Sequence, residues 1–227
     1  LQVSGSLLLK GNRFTELVSG VEIEGITGRL DYDREGLKAI ALPGMYKGSP
    51  VKLDIVSKWA AGEVFRAHLS GDLPIENVIP EILLNREPLF RQATGTSHWD
   101  ASVSVAAVEG NRDREVWLEI YSELVGVSID LPEPLAKPAE VSWPLLVRHP
   151  IRAARHILSA NFPGRAQLLM ELSKDDSQPL RAVVELGGKA GELPGPGLFS
   201  IGGSSPKFDL DGWIDLVVKR FSKMDDA

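Results

Sequence analysis

Over most of its length the chain alternates apolar with polar residues, and that alternation constrains the fold more than any other feature. Successive side chains of a strand point to opposite faces, so each alternating run predicts a strand with one apolar and one polar side. Val21 and Ile23 alternate with Glu22 and Glu24, and Leu30 and Tyr32 with Arg29, Asp31 and Asp33. Val51, Leu53 and Ile55 alternate with Lys52 and Asp54; Phe65, Ala67 and Leu69 with Arg66 and His68; Val103 and Val105 with Ser102 and Ser104. Ala166, Leu168, Met170 and Leu172 alternate with Gln167 and Glu171. Val116, Leu118 and Ile120 alternate with Glu119 but also with Trp117 and Tyr121, which predicts a strand covered on both sides.

Turn chemistry divides these runs. Arg34-Glu35-Gly36, Lys47-Gly48-Ser49-Pro50, Ala61-Gly62, Glu109 to Asp113 and Asp175 to Gln178 read as hairpin connections, and Pro43-Gly44 predicts an interruption. Leu1 to Leu9 is a short apolar opening, and Gly11-Asn12 marks a turn or irregular step before Phe14. Ile75, Val78, Ile79 and Ile82 fall at helical spacing within Leu73 to Asn85, in a helix that Pro80 shortens or kinks. Pro150 to Ala160 reads as a second short helix. Asp209 or Asp211 caps a third, with Trp213, Leu216, Val217 and Phe221 at helical spacing. Gly187 to Gly203 is a turn-dense rim with a short strand around Leu198 to Ile201.

The sum is about ten to thirteen strands against two or three short helices, a mainly β, β-rich α+β chain of long antiparallel strands. The chain divides into three segments. Residues 1–85 form a first β-unit with its short helix, and 86–139 a long hairpin (Trp99 to Val108, Glu115 to Val127) ending in a proline hinge. Residues 140–227 form a second β-unit with the C-terminal helix. In the hinge, Pro132, Pro134 and Pro138 lack the N–H that a ladder needs, so Leu131 to Pro138 is expected to run extended and polyproline-like across a sheet edge or rim.

The chemistry-bearing motifs are sparse. There is no H-E-x-x-H, G-x-S-x-G or phosphate-loop pattern, so no catalytic residue, metal ligand or cofactor site is assigned. His149 and His156 lie seven apart and can share a helix face, an arrangement that invites a metal reading but reads better as a polar face for want of a third ligand nearby, and His68 and His98 read as solvent-facing. The net charge of −6, without a clustered basic stripe, argues against a nucleic-acid surface. Cysteine is absent, so no disulfide framework exists, and no apolar run approaches the roughly 18 residues of a membrane span.

One apolar face per strand with few helices to cover it leaves two arrangements open. In the first, two sheets seal their apolar faces against each other in a sandwich or barrel, giving a structural or protein-interaction module with edges that dock neighbours. In the second, one curled sheet leaves its concave side as an apolar trough. The residues that would line it are Val21, Ile23, Leu30, Tyr32, Val51, Leu53, Ile55, Phe65, Leu69, Val103, Val105, Val116, Leu118, Ile120, Leu168, Met170 and Leu172.

The stretch Ser122 to Lys137 resembles a segment of the AsmA-like superfamily, in its large periplasmic YhdP-type members, that reads S-D-L-x-G-L-x-x-D-L-P-x-P-L-G-K. Ser122, Leu124, Gly126, Asp130, Leu131, Pro132, Pro134, Leu135 and Lys137 stand at matching places, with Glu123 for the family's Asp and Ala136 for its Gly. Phe208 to Trp213 is similar to an L-D-L-D-x-W helix entry. Looser likenesses lie at Gly95 to Trp99 and Gly28 to Leu37. The resemblance implies a β-groove that carries phospholipid acyl chains between inner and outer membranes. It implies a periplasmic segment of an inner-membrane-anchored protein of a Gram-negative cell, stacked on neighbouring β-units. Exposed edge strands would then also favour self-association of this chain.

Overall fold

The computed structural model describes residues 4–15, 21–58, 63–107, 114–151, 157–172 and 180–222. In chain order the strands are β1 (Gly5–Thr15), β2 (Glu22–Tyr32), β3 (Gly36–Tyr46), β4 (Ser49–Lys58), β5 (Glu63–Pro74), β6 (Ala93–Ala107) and β7 (Arg114–Ser122). They continue with β8 (Val127–Ile129), β9 (Leu145–Pro150), β10 (Ile157–Phe162), β11 (Ala166–Glu171), β12 (Arg181–Leu186) and β13 (Phe199–Gly203). Helices α1 (Ile75–Val78) and α2 (Glu81–Arg86), with a 3-10 turn at Pro88–Gln92, join β5 to β6, and α3 (Leu210–Ser222) comes after β13.

All thirteen strands belong to one sheet, in which sequence neighbours pair in order from β1 to β7, then β7 with β9, and on to β13. Every pair is antiparallel except β12 with β13, and β8 pairs off this path with the start of β6. No pairing joins β1 to β13 among the described residues, so the curled sheet stays open. Short connections explain the meander at β2–β3, β3–β4 and β10–β11, where each turn returns the chain beside the strand just made.

The curl is helped by bulges. The β1–β2 register shifts around Asn12, beside Gly11 at φ 74°, and the β3–β4 register shifts between Ala39 and Leu42, where Ala41 has φ 52°. Gly36 opens β3 where a Cβ would lie 1.6 Å from the Ser57 carbonyl oxygen, so only glycine lets the two strands meet there.

Four expectations need correction. Pro43-Gly44 does not interrupt β3, which keeps its register with β4 through Pro43 opposite Lys52. The missing pairing falls instead on the other neighbour, where the β2–β3 ladder lapses between Glu24–Met45 and Asp31–Lys38. Residues 157–160 form strand β10, not helix. Leu158, Ala160 and Phe162 occur at period two and pair with Met170, Leu168 and Ala166. Trp117 and Tyr121 are not covered. They stand exposed on the polar side of β7, where the Trp117 indole donates to Glu115 and the Tyr121 hydroxyl to Glu123. Leu131 to Pro138 is not extended. The Leu135 amide donates to the Pro132 carbonyl in a turn with a cis Glu133–Pro134 peptide, and Lys137 bridges back to Ile129. The helix break at Pro80 and the Asp209 cap, which accepts from the Gly212 amide at 3.0 Å, fall where the sequence puts them.

Candidate functional site

Strand register decides which side chains share a face, because residues paired across a ladder point the same way. Phe65 pairs with Val105 and Val105 with Val116; Ala67 pairs with Val103 and Val103 with Leu118; Leu69 pairs with Ala101 and Ala101 with Ile120. Leu53 pairs with Leu69, and Ile55 with Ala67. Across the other boundary the same face continues from Ile120 to Val147, Ala160, Leu168 and Val184. Tyr32 pairs with Leu37 and Leu37 with Ser57, and Leu30 lies two residues before Tyr32. Ile23 and Ile26 press against Gly44, which pairs with Val51. Val21, just before β2, and Leu172, just after β11, pack into the same inner clusters.

Fifteen of the predicted lining residues therefore share the inner face of one sheet, and Val21 and Leu172 lie just outside the strands, packed against it. They differ in how well they are covered. Ile23, Val51, Leu53, Val116 and Met170 are buried, Tyr32 is exposed, and the rest are half-buried. Alternation missed several partners on this face. Leu7 and Leu9 were hidden in the unbroken run Leu7-Leu8-Leu9, and Ile26, Ala39 and Leu42 are displaced from simple alternation by the two bulges.

The opposite face carries Leu169 and the buried Val183 on β11 and β12 but is mostly polar from β3 to β9. Lys38, Lys52, Asp54, Arg66, His68, Asp100, Ser102, Glu119 and Arg148 occupy it, and Arg148 donates to Glu119 at 2.7 Å. His68 and His98 stand there too, against Asp100 at 3.1 Å and Asp72 at 2.7 Å. His149 is not on a helix. It lies in β9 opposite Leu118, on the inner face, while His156 falls outside the described residues. No group of three or more histidine or acidic side chains is placed to hold a metal ion among the described residues.

Two inserts pack against the inner face of the sheet. The first is the segment from α1 through the 3-10 turn. The second is the proline-bearing stretch after β7, held by a polar knot. Ser122, wholly buried, donates to the His98 carbonyl at 2.7 Å, lies 3.0 Å from the Ser97 hydroxyl and accepts from the Leu124 amide at 3.0 Å. Lys137, only 2% exposed, donates to the carbonyls of Leu124 and Val127 at 2.7 Å each and of Pro138 at 3.0 Å. Burial pushes its pKa down, with Glu140 pulling the other way. Gly126, at φ 95°, would put a Cβ 2.1 Å from the Thr96 carbonyl oxygen.

This knot delivers Leu124, Val127 and Trp143 into the core between the two ends of the sheet. Trp143 meets Phe162 edge-on at 6.3 Å and carries the Arg165 guanidinium over its ring at 4.5 Å. Leu135 packs with Ala166, Val184 and Leu186, and the Trp213 indole donates to the Glu133 carbonyl at 3.0 Å. Six residues of the Ser122 to Lys137 motif thus have a physical task in the plug: Ser122, Leu124, Gly126, Pro132, Leu135 and Lys137. No helix among the described residues is long and apolar enough to cross a membrane.

A protein-family model described as YhdP protein matches residues 2–227. No curated protein and no solved structure matches the chain.

Proposed function

Given that the chain belongs to the YhdP family of AsmA-like envelope proteins, we propose that its inner sheet face is a hydrocarbon lane. On this reading it carries phospholipid acyl chains between the inner and outer membranes of a Gram-negative cell, from the periplasm and without bond chemistry. The observation that carries the reading is the register: fifteen of the seventeen residues chosen by alternation share one face of a sheet that is not closed on itself. At about 0.8 kcal/mol per CH₂, two acyl chains of about 30 carbons in all cost roughly 24 kcal/mol to expose to water. A continuous apolar lane removes most of that barrier, and the head groups stay in solvent at the open side. Residues 1–85 and 140–227 act as two walls of the lane, with 86–139 as the hairpin and plug between them. Further β-units add to the open edges at β1 and β13.

The test is to purify the chain and identify by mass spectrometry the lipid that denaturation releases. Phospholipid at near-stoichiometric amount supports the lane, and its absence together with failure to take up a fluorescent fatty acid rules it out. A second reading is a non-catalytic structural module. It draws on Leu124, Val127 and Trp143, which already fill part of the inner space with protein. Such a module keeps its fold and takes up no fatty acid.

A further inference from the structure

We propose that the segment from Ile75 to Gln92 is a displaceable strap, whose apolar side chains sit where acyl chains would lie, so that strap seating and lipid loading compete. The proposal rests on the hydrocarbon-lane reading and adds its regulation.

The connection is far longer than its task requires. β5 and β6 are paired from Glu63 opposite Ala106 to Pro74 opposite Thr96, a geometry that a loop of about two to five residues closes. The extra length turns inward. Ile75 is buried in the cluster that holds Val51, Leu53 and Trp99, with Val78 and Ile79 packed beside it. Leu83 is buried with Met170 and Ala182, residues of β11 and β12 on the other side of the trough, and Ile79, Ile82 and Phe90 join them. The segment therefore spans from one wall to the other.

Its construction separates a fixed part from a movable one. At Asn77 the carbonyl accepts from the Tyr46 hydroxyl at 3.2 Å and the Lys47 ammonium at 3.1 Å, while the Asn77 side-chain amide donates to the Lys47 carbonyl. The backbone then turns extended at Ile79, before Pro80, which breaks the helix. Beyond that break, the Arg91 guanidinium donates to the Leu84 carbonyl at 2.6 Å and to Asn85 at 3.3 Å, so α2 and the 3-10 turn hold together as a unit. The contact of this unit with the far wall through Ile82, Leu83 and Phe90 is apolar and non-directional. Hydrocarbon can replace such a contact.

Cis-parinaric acid titrated into the 227-residue chain, with hydrogen exchange monitored over residues 81–92, tests the strap. Leu83→Ala is expected to bind the probe about tenfold tighter than the parent, because less must be displaced. Saturation of the parent with probe is expected to raise exchange in residues 81–92. Should Leu83→Ala fail to fold, the double variant Tyr46→Phe, Lys47→Ala at the hairpin tip loosens the anchor instead, with about threefold tighter binding expected. Probe binding that is unchanged or weaker in folded variants, or exchange that falls on loading, overturns the strap and leaves the lane standing. No uptake by the parent or by either variant overturns the lane itself, and the strap with it.

Discussion

The two parts of the curled sheet proposed as walls are built differently. Strands β1 to β5 have ten to twelve residues each, whereas β9 to β13 have five or six. On the short wall the inner face is covered by other parts of the chain: Met170 and Ala182 lie under Leu83, and Ala166, Val184 and Leu186 lie under Leu135. On the long wall the inner face outruns its cover, and Leu7 and Tyr32 at the β1–β2 edge remain 53% and 37% exposed. A wall that the protein itself seals is part of the core while its cover is seated. A wall left partly bare is where a greasy ligand has surface to gain, because burial of the same apolar area is still available there. The predicted lining set spans both walls, so its members differ in what they are expected to do.

The sharpest way to break this distinction is to put a carboxylate on each wall. Met170→Asp places a charge where the side chain has no solvent access, and the expected loss is about 4 kcal/mol or more, read as a large fall in the urea midpoint. Tyr32→Asp, on the long wall, is expected to cost under about 1 kcal/mol. Equal destabilisation by the two would mean that the walls are alike and that the long wall is closed core.

The plug supplies the next two effects. Lys137→Met keeps the length of the side chain but removes three charge-assisted hydrogen bonds, although the Leu124 and Pro138 carbonyls keep the Val127 and Val141 amides, and the expected loss is about 3 kcal/mol. Lys137→Arg should not restore it, since a planar fork cannot reach three carbonyls arranged around a compact ammonium. Gly126→Ala forces a Cβ against the Thr96 oxygen in a backbone of positive φ, with about 2 kcal/mol expected. Chemical denaturation of each variant measures these. Losses below about 0.5 kcal/mol would show that the knot does not hold the plug against the short wall.

Much of this was legible because the strands obey a simple rule. Where a strand has one apolar side, as in β4 to β7 and β11, period-two alternation names the inner residues without reference to anything distant. It fails where a bulge adds a residue, as at Asn12 and between Ala39 and Leu42, since each extra residue reverses the apparent face of the strand beyond it. It fails differently at Ile157 to Phe162, which overlaps the short helix expected over Pro150 to Ala160 and where only pairing with β11 decides the matter. The plug was legible as an unusual string of residues but not as a shape. Nothing local says that Lys137 turns inward to cap carbonyls thirteen and ten residues earlier, because the cage exists only once β7 has ended and the chain has folded back. The strap is visible in the sequence as a broken helix, and its reach to Met170 is a long-range contact outside the grasp of periodicity.

The smallest effect on stability carries the most information about the long wall. Leu7 and Leu8 are adjacent on the edge strand β1, at 53% and 68% exposure, so either can become Asp with a change expected within about 0.5 kcal/mol. Yet Leu7 pairs with Leu30 on the inner face, while Leu8 pairs with Arg29 on the polar one. Simple removal of exposed apolar area predicts the same outcome for both. A hydrocarbon lane predicts that Leu7→Asp lowers fatty-acid uptake severalfold and that Leu8→Asp leaves it unchanged, because a charge matters only where a chain must lie against it. Fluorescence titration of the two variants side by side decides it, and equal responses would mean that uptake, where it occurs, does not track the inner face of β1.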